Sequence, residues 1–205
     1  MHAITVRPTD KTDSKGRHRP GPECIEWTEV PTPKPGPGEV LVKVKAAGIN
    51  RGDLLQRQGL YPPPKGVSET MGLEVTGVIS SLGQDVTGWS EDDEVIALLA
   101  GGGYAEYVIV PAGQLLPIPE GIDPVTASTL IEVTATVISN MDHVGLARGE
   151  TFLVHGGAGG IGQFAIQYAK SLECTVITTC GTAEKQEFCL SLIHISEPTR
   201  RTPIS

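Results

Sequence analysis

The chain lacks a long apolar run, an excess of basic charge and any paired cysteines. Its longest apolar stretch lies near residues 95–100, far short of the roughly 20 residues that a membrane-spanning helix needs, so no membrane partner is expected. Lys and Arg number 16 against 24 Asp and Glu, a net charge of −8. That is the wrong sign for a surface that binds nucleic acid. The one basic cluster, residues 11–19, sits in a polar stretch beside Pro20 and Pro22 and reads as a solvated loop. The opening MHAITVRPTD has no apolar centre of the signal-peptide kind, which makes the cytoplasm the expected compartment. Cys24, Cys174, Cys180 and Cys189 show no spacing typical of disulfides or metal sites. They read as reduced, isolated and structural. No pairing of nucleophile and base of the Ser–His type stands out either.

What is present is glycine in one decisive place. Residues 151–170 read TFLVHGGAGGIGQFAIQYAK: a β-branched strand, a glycine turn and an apolar-faced helix in succession. Gly156, Gly157, Gly159, Gly160 and Gly162 remove side chains where the backbone must turn. A helix N-terminus behind such a turn offers unpaired N–H groups and a positive dipole end, which suits a dinucleotide pyrophosphate. CTVITT at residues 174–179 supplies a second strand and completes one βαβ unit.

Upstream the texture is β-rich. A stiff PTPKPGPG hinge precedes the alternating strand Glu39–Ala47, and Glu74–Leu82 alternates likewise. Residues 50–58 predict a short helix stopped by Gly59 and the Pro62–Pro64 run. Residues 95–99 and 104–110 predict strands, and 124–130 and 134–144 predict helices. The domain boundary is expected near Gly121.

Segments 36–64 (GPGEVLVKVKAAGINRGDLLQRQGLYPPP), 71–79 (MGLEVTGVI) and 101–111 (GGGYAEYVIVP), with the glycine turn, resemble the zinc-independent quinone oxidoreductases of the medium-chain dehydrogenase/reductase superfamily. The likeness is nearest to the tumour-suppressor-inducible quinone oxidoreductases and their bacterial relatives. It implies an α/β plus β fold. A GroES-like β-barrel domain over 1–121 would be followed by an incomplete Rossmann domain, a doubly wound parallel sheet, over 122–189. Zinc-dependent relatives carry a cysteine ligand where this chain has Asn50 and a histidine where it has Leu73, so no metal is expected.

The resemblance implies NADPH-dependent reduction of a quinone. Alternatives are reduction of an enone or enoyl thioester, another conjugated carbonyl, and a non-catalytic dinucleotide-binding role. The expected cofactor cradle is Gly156, Gly157, Ala158, Gly159, Gly160, Ile161 and Gly162. The end of the second strand, Cys180–Gly181–Thr182, lacks the carboxylate that would hold a ribose 2′-hydroxyl. Gly181, Thr182 and Lys185 are therefore assigned to a 2′-phosphate, with Lys185 as an ordinary surface lysine the alternative. Asn50 and Tyr61 are the expected catalytic residues, Asn50 offering an amide donor beside the nicotinamide and Tyr61 a phenolic proton. Asn50 could instead cap the helix after it, and Tyr61 could simply pack on Pro62–Pro64. Thr136 is expected near the nicotinamide, unless its hydroxyl bonds its own helix. His155 reads as a packed turn residue more than as a base, and Arg51 with Asp53 as a local ion pair.

After residue 189 the likeness stops. LSLIHISEPTR, residues 190–200, resembles one reading frame of a transposase-type sequencing adapter, so 190–205 is expected to be a non-native tail. With only two Rossmann strands present, the chain is expected to be unstable, with little NADPH turnover. Full-length family members are expected to be homo-oligomers and this chain not.

Overall fold

The computed structural model describes residues 1–7 and 20–193. The basic cluster at 11–19 and most of the expected tail lie outside the described residues. The chain divides into two compact units, Met1–Glu132 and from Val133 onward. The division falls inside a helix rather than near Gly121, because the short helix after that glycine packs on the first unit's strands.

The first unit is antiparallel. Strands β1 (His2–Val6) and β2 (Ile25–Glu29) form a ribbon. Strands β3 (Glu39–Ala47), β4 (Glu74–Leu82), β5 (Glu94–Leu98), β6 (Tyr107–Pro111) and β7 (Leu115–Pro117) form a sheet in the order β6-β3-β4-β5-β7. The β3–β4 register shifts at Leu41/Val42 and at Val44/Ala46, and such bulges bend a sheet toward closure. Alternation places Val40, Val42, Val75, Ile79, Val95 and Val110 in one core, each fully buried. The ribbon joins the sheet through Ile4 N–H to the Tyr104 carbonyl (2.7 Å) and Glu106 N–H to the His2 carbonyl (2.9 Å). Sequence analysis had not anticipated β1, β2 or β7, which are short or formed by distant partners.

Helix α1 (Arg51–Arg57) follows β3, and α2 (Pro124–Ala127) follows β7. The expected helix over 124–130 stops early. The Thr129 and Leu130 N–H groups bond three residues back, to the Thr126 and Ala127 carbonyls (3.3 and 3.2 Å), so the turn tightens. Ser128 Oγ donates to the Val125 carbonyl (2.8 Å) and Thr129 Oγ1 to the Thr126 carbonyl (2.9 Å). Helix α3 (Ile131–Val144) begins earlier than expected, for a reason that lies on β4 and is given below. Tyr104 lies outside β6 because its main chain bonds the Met71 carbonyl (2.9 Å) and the β1 ribbon.

The second unit is a parallel βαβ. Strand β8 (Thr151–His155) pairs in parallel with β9 (Thr175–Thr179) from Thr151↔Thr175 to His155↔Thr179. Helix α4 (Gly160–Ser171) connects them and buries Ala165, Ile166 and Ala169. Val137, Met141 and Ala165 form a core with Phe152, Val154 and Phe164. Helix α5 (Ala183–Ile193) carries the last described residues, so Leu190–Ile193 of the expected tail continue it.

All four cysteines are free, and three of them, Cys24, Cys174 and Cys189, are buried. They are not all isolated, however. Burial, and next the neighbouring Cys180 thiol, push the Cys189 thiol up.

Candidate functional site

The expected site residues fall into two groups, one in each unit. In the second unit the strand–turn–helix sequence puts the glycines at the N-terminus of α4. Gly156 takes φ +73°, a left-handed conformation that glycine adopts without strain. A Cβ on Gly157 would stand 2.2 Å from Thr178 Oγ1, and one on Gly162 would stand 2.4 Å from the Gly156 carbonyl oxygen. The turn is therefore too tight for side chains.

Not every amide in the turn is available to a ligand. The N–H groups of Gly156 and Gly157 both donate to the Thr179 carbonyl (3.1 Å each), and Gly159 N–H donates to the Gly156 carbonyl (2.9 Å). These glycines shape the turn. The N–H groups that open α4, on Gly160, Ile161 and Gly162, belong to the first turn, which has no intrahelical acceptors. Gly159 sits at the N-cap without a side chain to satisfy them. Gln163 Nε2 donates to the Ala158 carbonyl (3.2 Å) and braces the loop. This cradle, free of side chains and rich in donors, fits a pyrophosphate.

At the end of β9, Thr182 caps α5: Lys185 N–H donates to Thr182 Oγ1 (3.3 Å) and Gln186 N–H to its carbonyl (3.0 Å). The Thr182 hydroxyl keeps its own proton to donate. Gly181, Thr182, Glu184 and Lys185 are exposed. His155 is exposed rather than packed, its Nδ1 lying 3.1 Å from Thr179 Oγ1. Thr136 is half-buried on α3, where its carbonyl accepts from Asn140 Nδ2 (2.7 Å).

In the first unit the structure gathers Asn50 with three residues that sequence analysis did not assign to the site as it stands. Asn50 precedes α1, and its main-chain N–H donates to Asp53 Oδ2 (2.7 Å). Its side-chain Nδ2 donates to Glu74 Oε1 (2.9 Å). Asp53 Oδ1 accepts from Gly72 N–H (3.0 Å), and Tyr104 Oη lies 2.8 Å from Asp53 Oδ2. Glu74 Oε2 accepts from Glu132 N–H (3.0 Å). Asp53 and Glu74 are 3% and 2% exposed, so two carboxylates flank Asn50 with almost no water around them.

The electrostatics follow from that burial. Desolvation raises the Glu74 carboxyl above its usual range, against the lowering pull of the Glu132 amide and the Asn50 side chain. Burial, then the hydrogen bond to Asp53, push the Tyr104 phenol well above its ordinary range, so it stays a donor. The Arg51–Asp53 ion pair expected from sequence does not form among the described residues. Asp53 spends both oxygens on main-chain and phenol donors instead. The available signal was Glu74 opening an apolar strand and Tyr104 amid glycines, each a polar side chain heading into apolar surroundings.

Leu73 stands where a metal-binding histidine was considered. It is nearly buried, and its Cδ1 lies 2.9 Å from where a Gly52 Cβ would be. An apolar group packed that tightly offers no ligand atom. Among the described residues no three His, Cys, Asp or Glu side chains gather as a metal site would require. Tyr61, half-exposed, approaches the same Gly52, its Cε1 3.7 Å from that Cβ position. The structure thus brings Tyr61 to the helix turn that Asn50 opens. Both orient on α1.

Residues 36–120 match the alcohol dehydrogenase GroES-like domain family. The chain is a medium-chain dehydrogenase/reductase relative of the quinone oxidoreductases. It is 37% identical over 164 residues to prostaglandin reductase-3 of Bos taurus, covering 80% of this chain and 43% of that one. It is 36% identical over 168 residues to quinone oxidoreductase of Pseudomonas aeruginosa, with coverages of 80% and 51%. Among solved structures, Escherichia coli quinone oxidoreductase complexed with NADPH superposes with a TM-score of 0.79 at 31% identity, covering 94% of this chain and 56% of that one. The chain thus spans about half the length of the relatives it matches. The expected pairing of a GroES-like domain with a partial Rossmann-like sheet holds.

Proposed function

We propose that this chain carries the nucleotide cradle and the substrate-facing loop of an NADPH-dependent quinone reductase. The observation that carries the reading is the turn at 156–162, where main-chain donors open α4 and no side chain intrudes. Gly160, Ile161 and Gly162 would hold the pyrophosphate, with Gly156, Gly157, Ala158 and Gly159 setting the turn. Gly181, Thr182 and Lys185 would hold the adenosine 2′-phosphate, and Thr136 the nicotinamide end. Lys185 is exposed, and no carboxylate ends β9, a combination that attracts a phosphate and leaves a bare ribose without its usual acceptor.

The cofactor would supply hydride, and a quinone that accepts it takes one further proton to become the hydroquinone. This chain's own contribution is then positioning more than acid or nucleophile. Tyr61, half-exposed, would face the substrate oxygen beside Asn50. The P. aeruginosa and E. coli relatives carry the quinone oxidoreductase name, and that favours a quinone. The likeness to a prostaglandin reductase supports a second reading, in which the acceptor is another conjugated carbonyl. We assign the cytoplasm, in keeping with four free cysteines. No described helix is long and apolar enough to cross a membrane.

The direct test is titration with NADPH and NADH by nicotinamide fluorescence. NADPH is expected to bind more tightly, and Lys185→Ala to weaken NADPH about tenfold, the loss of one charge-assisted hydrogen bond of roughly 1.4 kcal/mol, while leaving NADH unchanged. Equal affinity for the two nucleotides, or equal losses in the variant, would overturn the assignment of Lys185.

A further inference from the structure

Burying a carboxylate is costly unless its oxygens are satisfied and its charge is met. Glu74 is 2% exposed, and among the described residues its partners are two neutral N–H donors and no cation. The other groups that act on it electrostatically, Asp53 and Glu132, are carboxylates too. The neighbouring Tyr104 phenol is neutral. An apolar side chain would fill this end of β4 at less cost, so the carboxylate is retained for what its two oxygens hold. One holds the first turn of α3. That turn starts ahead of its sequence signal because Glu74 Oε2 caps the Glu132 N–H from a different element. The other holds the side chain of Asn50.

We infer that Glu74 is the positioning residue for Asn50: it takes one N–H of the amide, fixes which way the amide points and leaves the second N–H as the donor end. Asn50 is gripped twice, by Asp53 at its main-chain N–H and by Glu74 at its side chain. A flipped amide would set Oδ1 against a carboxylate oxygen, acceptor against acceptor, so the orientation is held by chemistry as well as by shape. The Asn50 carbonyl end is turned to the Asp53 N–H in a capping box at the start of α1, and Asn50 is half-buried. An amide nitrogen carries two N–H groups, and Glu74 takes one of them. The second is left as a donor, suited to a ligand carbonyl such as that of a carboxamide or a quinone. The inference rests on the reading of Asn50 as ligand-facing.

The test uses the full chain, 15N-labelled, with the Asn50 side-chain N–H signals followed by NMR. In the unmodified protein those signals are expected to move with pH as the Glu74 carboxyl titrates, above the ordinary glutamate range because burial raises it. In Glu74→Gln that titration is lost. A glutamine has one acceptor oxygen for two donors, so Asn50 or the Glu132 N–H must lose its bond, and the Asn50 signals move while backbone amides of β3 and β4 stay in place. Asn50 signals that do not respond to pH in the unmodified protein overturn the proposal whether or not the variant folds. So does a Glu74→Gln spectrum with the Asn50 signals unmoved. Adding NADPH with 1,4-naphthoquinone to the same sample separates the two claims. If Asn50 titrates with Glu74 yet neither compound shifts its signals, the clamp stands and the ligand-facing reading fails. If the compounds shift Asn50 and the titration is absent, the clamp fails and the ligand-facing reading stands.

Discussion

The two units bury their strands in opposite ways. In the first, Val40, Val42, Val75, Ile79, Val95 and Val110 are fully enclosed by a five-stranded antiparallel sheet. In the second, β8 and β9 show an alternation of exposed and half-buried residues along both strands, and Leu153 and Ile177 are 53% and 51% exposed. Antiparallel strands with bulges can fold over their own core, whereas a parallel pair needs helices on both faces. Among the described residues, Phe152 and Val154 on one face of the pair join a helical core while Leu153 on the other stays open. A binding turn can therefore be locally complete while the sheet that carries it is half covered.

That contrast can be broken most forcefully in the enclosed core. Ile79→Ala should cost about 3 kcal/mol, the usual range for a fully buried aliphatic residue being about 2–5 kcal/mol, as read from urea unfolding. A loss below about 1 kcal/mol would mean that the first unit is as loosely held as the second. Next in size is Gly157→Ala. Its Cβ would meet Thr178 Oγ1 at 2.2 Å, and such overpacking costs about 1–3 kcal/mol. Hydrogen exchange should speed up in β8, β9 and α4 while β3 and β4 keep their protection. Equal loss in both units would show that they unfold as one.

A much smaller effect is expected on the open face. Leu153→Lys should change stability by less than about 0.5 kcal/mol and raise solubility at a given concentration, whereas a large destabilisation would mean that something covers that face. The smallest effect belongs to the α2 cap. The Thr126 hydroxyl first, then the Thr126 and Val125 N–H groups, hold the Asp123 carboxyl below its usual range. Its contribution is therefore present above the unfolded carboxylate value and fades as pH falls through the lowered folded one. Asp123→Asn keeps an acceptor at the N-cap and should remove this acid-side fraying of α2, seen in its amide exchange.

How much was legible from the chain differs element by element. Strands Glu39–Ala47, Glu74–Leu82 and Thr151–His155 were expected with the bounds they have, because each carries a full period-2 or β-branched pattern between turn residues. The parallel βαβ and its glycine turn were legible for the same reason. Strands β1, β2 and β7 were not, since a strand of three to five residues takes its identity from the partner it finds. The start of α3 was misread because its cap, Glu74, is supplied by β4 and not by the preceding residues. Asn50 and Tyr61 were picked out from a motif. The sequence carried no sign of which way the Asn50 amide would be held, because Glu74, which takes its nitrogen, lies on another segment.

By itself, then, the sequence determined the local turns. Glycine suits the left-handed φ at Gly156, and a Cβ on Gly162 would strike Gly156 and Gly157 within the same bend; such a bend before a helix offers main-chain donors whatever surrounds it. Tertiary structure decided everything that depends on two distant segments meeting. It gave both glycine amides at 156 and 157 to Thr179, leaving phosphate to the next three residues. It closed Leu73 over Gly52, and it set Asn50 between two buried carboxylates. Those outcomes turn on desolvation and on which donor finds which acceptor, and neither is written in the order of residues along one segment.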